Sequence, residues 1–399
     1  MTKPKAMLTL GAALVVLSLV VAFVGAAVLV RFPLGTNQTM TYTGTATIDV
    51  NPSTLAPLAS PLGFPLTVHR TVKVVSGSYA RAVVDETIGM TFAGSTRTET
   101  YRYVMDRRTM ALLSSPQSYA FGTPADRMAP QGSYRIELPM STSATTYRAW
   151  APETDSSATA TPAGPAHRNA ASGDSVLTFN TTLDHPVAPY YLAYLERGGL
   201  PGQLPSATVA TELQAAGIGA PQLVQALTGR LGASQLSTLR ADLAAPMPLT
   251  YSYFQQGQIS VEPQTGAVIQ AGSAREGVSV VADPSSLQGA VRLLAPLTSL
   301  PAVQRFDAAV ATLGHPMTVL SLSYAEVPAS VRAVATAAAH QADLMHLIQW
   351  QLPMLLGVLA IVALVLAWLW RPRPSGADVV PLPGPREEVP AATDLRRHA

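Results

Sequence analysis

The sequence contains no cysteine. That one absence removes disulfide staples, thiolate nucleophiles and cysteine-based zinc sites together. Charge is scarce as well. Asp, Glu, Lys and Arg make up 13% of the 399 residues against 48% hydrophobic residues, and the mean hydropathy is +0.23. So apolar a chain is not a disordered one, and its length suffices for two or three domains with a real core. Also missing are HExxH, a GxSxG elbow, a Walker loop, a complete GxGxxG and an EF-hand loop. No catalytic residue, metal ligand or cofactor is therefore assigned.

What the chain has instead is two long apolar runs. Ala6 to Val30 holds 25 residues without a charge, enough helix to cross a hydrocarbon core of about 30 Å. Leu352 to Trp370 is a second run, with Trp350, Trp368 and Trp370 at its ends, where interfacial aromatics belong. Lys3 and Lys5 precede the first run and Arg371 and Arg373 follow the second, so the positive-inside rule predicts that both ends are cytoplasmic. Arg31 is a minor vote against. Val24-Gly25-Ala26 would also suit a signal peptidase, but the run is longer than a usual signal core.

Between the runs, Gly35 to Leu347 carries 17 Arg, one Lys and 20 acidic residues, a formal charge of −2. No basic footprint for nucleic acid exists there. The expected partners are the lipid bilayer and a lipid, glycolipid or other envelope component.

Thr39, Thr41, Thr43, Thr45 and Thr47 alternate with Met40, Tyr42, Gly44, Ala46 and Ile48, the period of a half-buried strand. Further strands are expected at 66–75, 79–84, 88–92, 98–105, 134–138, 176–181, 249–254, 258–261, 267–270 and 278–282. Ala151 to Asp174 is rich in Ala, Ser, Thr, Pro and Gly and reads as a long surface loop. Leu223, Leu227 and Leu231, then Leu236, Leu239 and Leu243, have helical spacing. Another helix is expected from Pro301 to Leu313, stopped by Gly314.

The implied fold class is α+β: a mostly antiparallel β ectodomain with a helical insertion, flanked by N- and C-terminal transmembrane helices. The expected order is a cytoplasmic 1–5, a span at 6–30, and an extracytoplasmic domain at 31–328 with its insertion at about 204–245. A stalk helix at 329–351, a span at 352–370 and a disordered cytoplasmic tail at 371–399 complete it.

Arg97, Arg102, Arg107 and Arg108 cluster around one hairpin and are the candidate contacts for an anionic ligand, against a solvated face balanced by Glu99 and Asp106. Asp85 and Glu86 are adjacent, so on a strand they point to opposite faces and form no dyad. The histidines at 69, 167, 185, 315, 340 and 346 are scattered.

Asp106-Arg107-Arg108-Thr109 and Glu262-Pro263-Gln264-Thr265 both read as an acid-led turn between strands. Two independent hairpins with the same turn chemistry account for them more readily than a duplicated module. With Leu138-Pro139-Met140, Tyr147-Arg148-Ala149-Trp150 and Val261 through Gly266, these landmarks resemble the actinobacterial PorA-like porin family of two-span membrane proteins. Met110, Met140, Ala151 and Glu262 depart from its pattern. The resemblance implies architecture and no catalytic residues. Three functions stay open: a non-catalytic domain that binds a lipid, glycolipid or envelope partner; a porin-like or oligomeric channel; and an envelope hydrolase or transferase.

Overall fold

A computed structural model describes residues 3–25, 30–52, 54–121, 123–124, 131–215 and 217–370. The expected tail at 371–399 lies outside them, as does Ala26. The chain forms two compact units, one built from its two ends and one from residues 27–346.

The unit built from the ends holds helix α1 (Lys3–Val20), which passes into a wider turn at Val21–Gly25. It packs against the apolar C-terminal helix Leu352–Leu369. Small residues set the approach. Ala360, Ala363 and Ala367 are buried in the pairing face, and a Cβ on Gly11 would lie 2.8 Å from Leu364 Cγ. The Ser18 hydroxyl donates to the Pro353 carbonyl at 2.8 Å. The opposite faces stay bare, with Leu17, Leu19, Leu355 and Ile361 exposed. These are two helices long and apolar enough to cross a bilayer.

The unit of residues 27–346 is organised around one antiparallel sheet, a half-barrel. Its strands are β1 (Asn37–Val50), β2 (Pro57–Gly77), β3 (Arg81–Phe92), β4 (Ser95–Asp106), β5 (Leu112–Leu113), β6 (Tyr119–Ala120) and β7 (Thr123–Pro124) in the first half. The second half supplies β8 (Tyr147–Ala151), β9 (Ser156–Pro162), β10 (His167–Arg168), β11 (Ser175–Pro186), β12 (Gln203–Leu204), β13 (Met247–Val261), β14 (Val268–Ala282) and β15 (Met317–Glu326). The main path runs β7-β6-β4-β3-β2-β1-β15-β14-β13-β11-β9-β8. β1 and β15, from opposite ends of the unit's sequence, therefore meet at its centre.

Period-two alternation decides which face each residue takes. Met40, Tyr42, Ala46 and Val50 are buried on the concave side, while Thr39, Thr43 and Thr45 are exposed on the convex side. Convex hydroxyls pair across strands, Thr39 with Thr71 at 3.1 Å and Thr91 with Thr96 at 2.9 Å. Such cross-strand pairs contribute roughly 0.2–1 kcal/mol each.

Helices line and cover the concave side. Between β11 and β13 the chain forms α2 (Pro189–Arg197), α3 (Ser206–Ala215), α4 (Ala220–Leu227) and α5 (Ala233–Ala244); α2 precedes the 204–245 stretch where the insertion is expected. α6 (Gln288–Leu294) and α7 (Pro301–Leu313) follow β14, with Gly314 capping α7 as expected. Leu223, Leu227, Leu239, Phe306 and Leu294 join the sheet's core; each fully buried side chain of this size is worth about 1.5–3 kcal/mol. α8 (Pro328–His346), expected as a stalk, buries Val331, Val334, Ala335 and Ala338. Its Ser330 hydroxyl accepts from the Thr41 amide at 2.9 Å. The C-terminal helix Leu352–Leu369 is α9.

Two expectations need correction, and one strand is additional. Ala151–Asp174 is not one long loop: it contains β9 and β10, and Ala158 and Ala160 are buried. Small inward residues alternate there with Ser and Thr, so the apolar contrast is weak although the period is present. Residues 134–138 form isolated bridges, Tyr134 to Ala149 and Glu137 to Ala267, rather than a strand. β15 was not anticipated at all, though Leu320, Leu322 and Tyr324 alternate with Ser321 and Ser323.

One turn recurs four times among the described residues. Asp106 Oδ1 accepts from the Arg108 and Thr109 amides at 2.9 and 2.8 Å, and Met110 takes φ 63°. Glu262 accepts from the Gln264 and Thr265 amides at 3.0 and 2.7 Å, with Gly266 at φ 79°. Asn169 does the same for Ala171 and Ser172, with Gly173 at φ 81°. Asn51 accepts from the Thr54 amide, with Leu55 at φ 57°. Because the turn joins strands at unlike places in the topology, shared turn chemistry explains the likeness without a duplicated module.

Candidate functional site

Strand alternation sends a set of charged and aromatic side chains into the concave wall. Arg70 comes from β2, Glu86 from β3, Glu99, Tyr101 and Tyr103 from β4, Tyr253 from β13, Glu276 from β14 and Tyr324 from β15. Arg135 enters from the segment before β8, and Glu153 from the β8–β9 connection.

Glu86 is the centre of the ionic group. Arg70 Nε lies 2.7 Å from Oε1, and Arg135 Nε lies 3.0 Å from Oε2. Tyr103 donates to the same carboxylate at 3.3 Å. Burial works against the charge on Glu86, yet Arg135 and Arg70 outweigh it and hold the carboxyl at about 2. The neighbouring carboxyls behave oppositely. Burial pushes Glu153 up to about 7 against the pull of Arg135, and raises Glu99 despite the hydrogen bond from Tyr101. The Tyr101 hydroxyl is 2.6 Å from Glu99 Oε2 and 3.5 Å from Glu153 Oε1. Glu276 accepts from both Tyr253 and Tyr324.

Above this polar wall the concave side does not close. A cavity of about 550 Å³ remains, lined by Ile48, Val68, Ile88, Met90, Phe92, Ile259, Val278, Leu320 and Leu322 together with the charged groups. Its volume is in the range of small-molecule sites. α2 and the loop after it form one side through Tyr191, Leu195, Gly198 and Leu200. Pro52, Ala93, Ser95 and Gly198 are both lining and exposed, which places the mouth at the end of the sheet where β1 turns into β2 and β3 into β4. The apolar lining lies towards this mouth, and the Arg70–Glu86–Arg135 group lies further along the strands.

The four arginines singled out by sequence do not meet at one site. Arg97 points inward, donates to the Tyr194 hydroxyl at 2.7 Å and lines the cavity. Arg102, an odd number of residues along the same strand, points outward and pairs with Asp85 at 2.6 Å. Arg107 is engaged by backbone, with the Phe32 carbonyl at 2.8 Å and the Ser78 carbonyl at 2.9 Å. Arg108 is exposed in the turn. Asp85 and Glu86 do face opposite sides, as their adjacency requires. Arg70, Arg135 and Glu153 were missed: they are far apart in sequence, and the signal available was only the inward phase of Arg70 and Glu86 on alternating strands.

Among the described residues, no group of three or more His, Asp or Glu is placed to hold a metal ion. No curated protein matches the chain. The profile described as Porin PorA matches residues 4–369, nearly the whole length, and the protein, a membrane protein with a large β-rich domain, belongs to the Porin PorA family.

Proposed function

We propose that this is a twice-anchored protein of the cell envelope, with both ends cytoplasmic, whose 31–328 domain is extracytoplasmic and binds a lipid or glycolipid without transforming it. The observation that carries the reading is the cavity: an apolar mouth leading to a wall of buried carboxylates, tyrosines and arginines. An amphiphile would lay its hydrocarbon against Ile88, Met90, Leu320 and Leu322 and bring its polar end to Glu153, Glu276 and the Arg70–Glu86–Arg135 group. Because Glu86 already neutralises part of the arginine charge, the wall offers both donors and acceptors and does not demand a strongly charged head.

The test is lipid mass spectrometry on detergent-purified full-length protein beside the Ile88→Trp variant, which fills the cavity from a half-buried position. Co-purified amphiphile is expected with the first and a loss of tenfold or more with the second. A cavity that returns no amphiphile after incubation with envelope lipid extract contradicts the reading.

The family description favours a second reading, a channel. Against a pore walled by this sheet stand its convex threonines, since a barrel wall in lipid needs an apolar outer band. A channel would then have to be built from assembled helices. Conductance of the purified protein in planar bilayers tests it, and silence at high protein load counts against it.

A further inference from the structure

The end of the sheet opposite the cavity mouth carries a compact basic and aromatic surface. Three segments converge there: residues 31–36, the β2–β3 turn and the β4–β5 turn. The Arg31 guanidinium stacks 3.7 Å from the centre of the Tyr79 ring. The Phe32 amide donates to the Arg107 carbonyl at 2.8 Å, and Arg107 returns hydrogen bonds to Phe32, Ser78 and Tyr79 carbonyls. Leu34 lies over Gly77. Arg81 stands opposite Asp106 in the register, and Arg108 follows in the turn.

These contacts leave outward what a bilayer surface takes up. Tyr79 is 55% exposed, Leu34 41% and Val75 40%. Few other large apolar side chains of the unit are as bare. Arg81 and Arg108 are exposed beside them. Arg31, Arg81, Arg107 and Arg108 thus gather at this end of the sheet with Asp106, whose Oδ1 accepts from the turn's own amides. Aromatic rings with basic side chains form the usual interfacial pairing, and each cation near an anionic leaflet adds attraction. Chain length limits where the surface can go. The apolar run ends at Val30, so Leu34 stays within about 14 Å of it along the chain.

We propose that this surface, centred on Tyr79 and Leu34 with Arg31, Arg81 and Arg108, seats the β-rich domain on an anionic phospholipid surface. The proposal rests on the anchored reading above. It gives two of the sequence-selected arginines, Arg107 as the brace and Arg108 as a contact, a role away from the cavity.

The absence of cysteine allows clean site labelling. Full-length protein carrying a spin label at Ser76→Cys, in nanodiscs of phosphatidylcholine alone or of equal parts phosphatidylcholine and phosphatidylglycerol, reports depth by power saturation. The label is expected to leave water for headgroup depth only in the mixed discs. It should return to water in high salt, or when Arg81→Glu and Arg108→Glu are combined; a control label at Ser237→Cys on α5 should stay aqueous throughout. Equal depth in both lipids, water exposure in both, or indifference to the double variant overturns the proposal. A label at Val362→Cys on α9 reads anchorage separately. If it lies in hydrocarbon while the Ser76 label is aqueous, the seating alone fails; if it is itself in water, the anchored reading fails and the seating with it.

Discussion

Arg70 Nε donates to Glu86 Oε1 at 2.7 Å across two neighbouring strands, in a wall where the Glu86 side chain has no solvent exposure. The pair closes a network with Arg135 and Tyr103 in the floor of a half-barrel that otherwise holds apolar side chains. Such a group is costly to break from one side, because removing one partner leaves the others charged and dry.

Glu86→Gln should therefore destabilise the protein by about 3–5 kcal/mol, through two arginines left without their shared carboxylate. Asp85→Asn, on the convex face and partly exposed with Arg102, should cost at most about 1 kcal/mol. Chemical unfolding of the solubilised full-length chain compares the two. Equal losses would contradict the assignment of faces.

Two opposed pH dependences follow from the buried carboxyls. Glu86 is held at about 2, below the ordinary 4.5, so its stabilisation is present above pH 4.5 and lost as pH falls towards 2. Glu153 is raised to about 7 and Glu137 to about 8 by burial; their stabilisation is complete below pH 4.5 and is lost as pH rises through those values. Stability should peak on the acidic side of neutrality. Glu137 Oε2 has no hydrogen-bond partner among the described residues, so Glu137→Gln should raise stability at pH 8 by roughly 1–3 kcal/mol and leave pH 5 nearly unchanged. Unfolding temperatures across pH 3 to 8 check both slopes.

Much of this architecture is readable from residue order. The threonine alternation over 39–47 sets the convex face of β1, and the adjacency of Asp85 and Glu86 foretells their separation. Helical leucine spacing marks α4 and α5. The cavity is different in kind. Arg70, Glu86, Arg135 and Glu153 come together only because β2 and β3 pair and the segment before β8 crosses to meet them, and periodicity carries no record of such long-range pairing. The arginines at 97–108 divide between places for a simple reason. Nearness in sequence along a strand and its turn says nothing of sharing a face, and Arg97 and Arg102 are out of phase.

Gly266 should tolerate no side chain. Its φ is 79°, and a Cβ there would lie 2.1 Å from the Leu138 carbonyl oxygen. Gly266→Ala should cost about 2 kcal/mol or more, from the left-handed backbone plus displacement of the 138–139 segment. Proteolytic nicking near the β13–β14 turn, scored against wild type, reads the displacement directly.

The helix pair makes a further prediction. With Gly11 set against Leu364 and Ala360, Gly11→Cys combined with Leu364→Cys should cross-link under mild oxidation in membranes, and Gly11→Leu should part the helices. Failure to cross-link would contradict the α1–α9 packing.

The most direct test of the binding account is native mass spectrometry of the full-length protein, wild type and Ile88→Trp, released from the same lipid mixture. The account predicts a discrete adduct of one amphiphile on the wild type that is absent from the variant, with both folded. An adduct of equal abundance on both, or none on either, would contradict it.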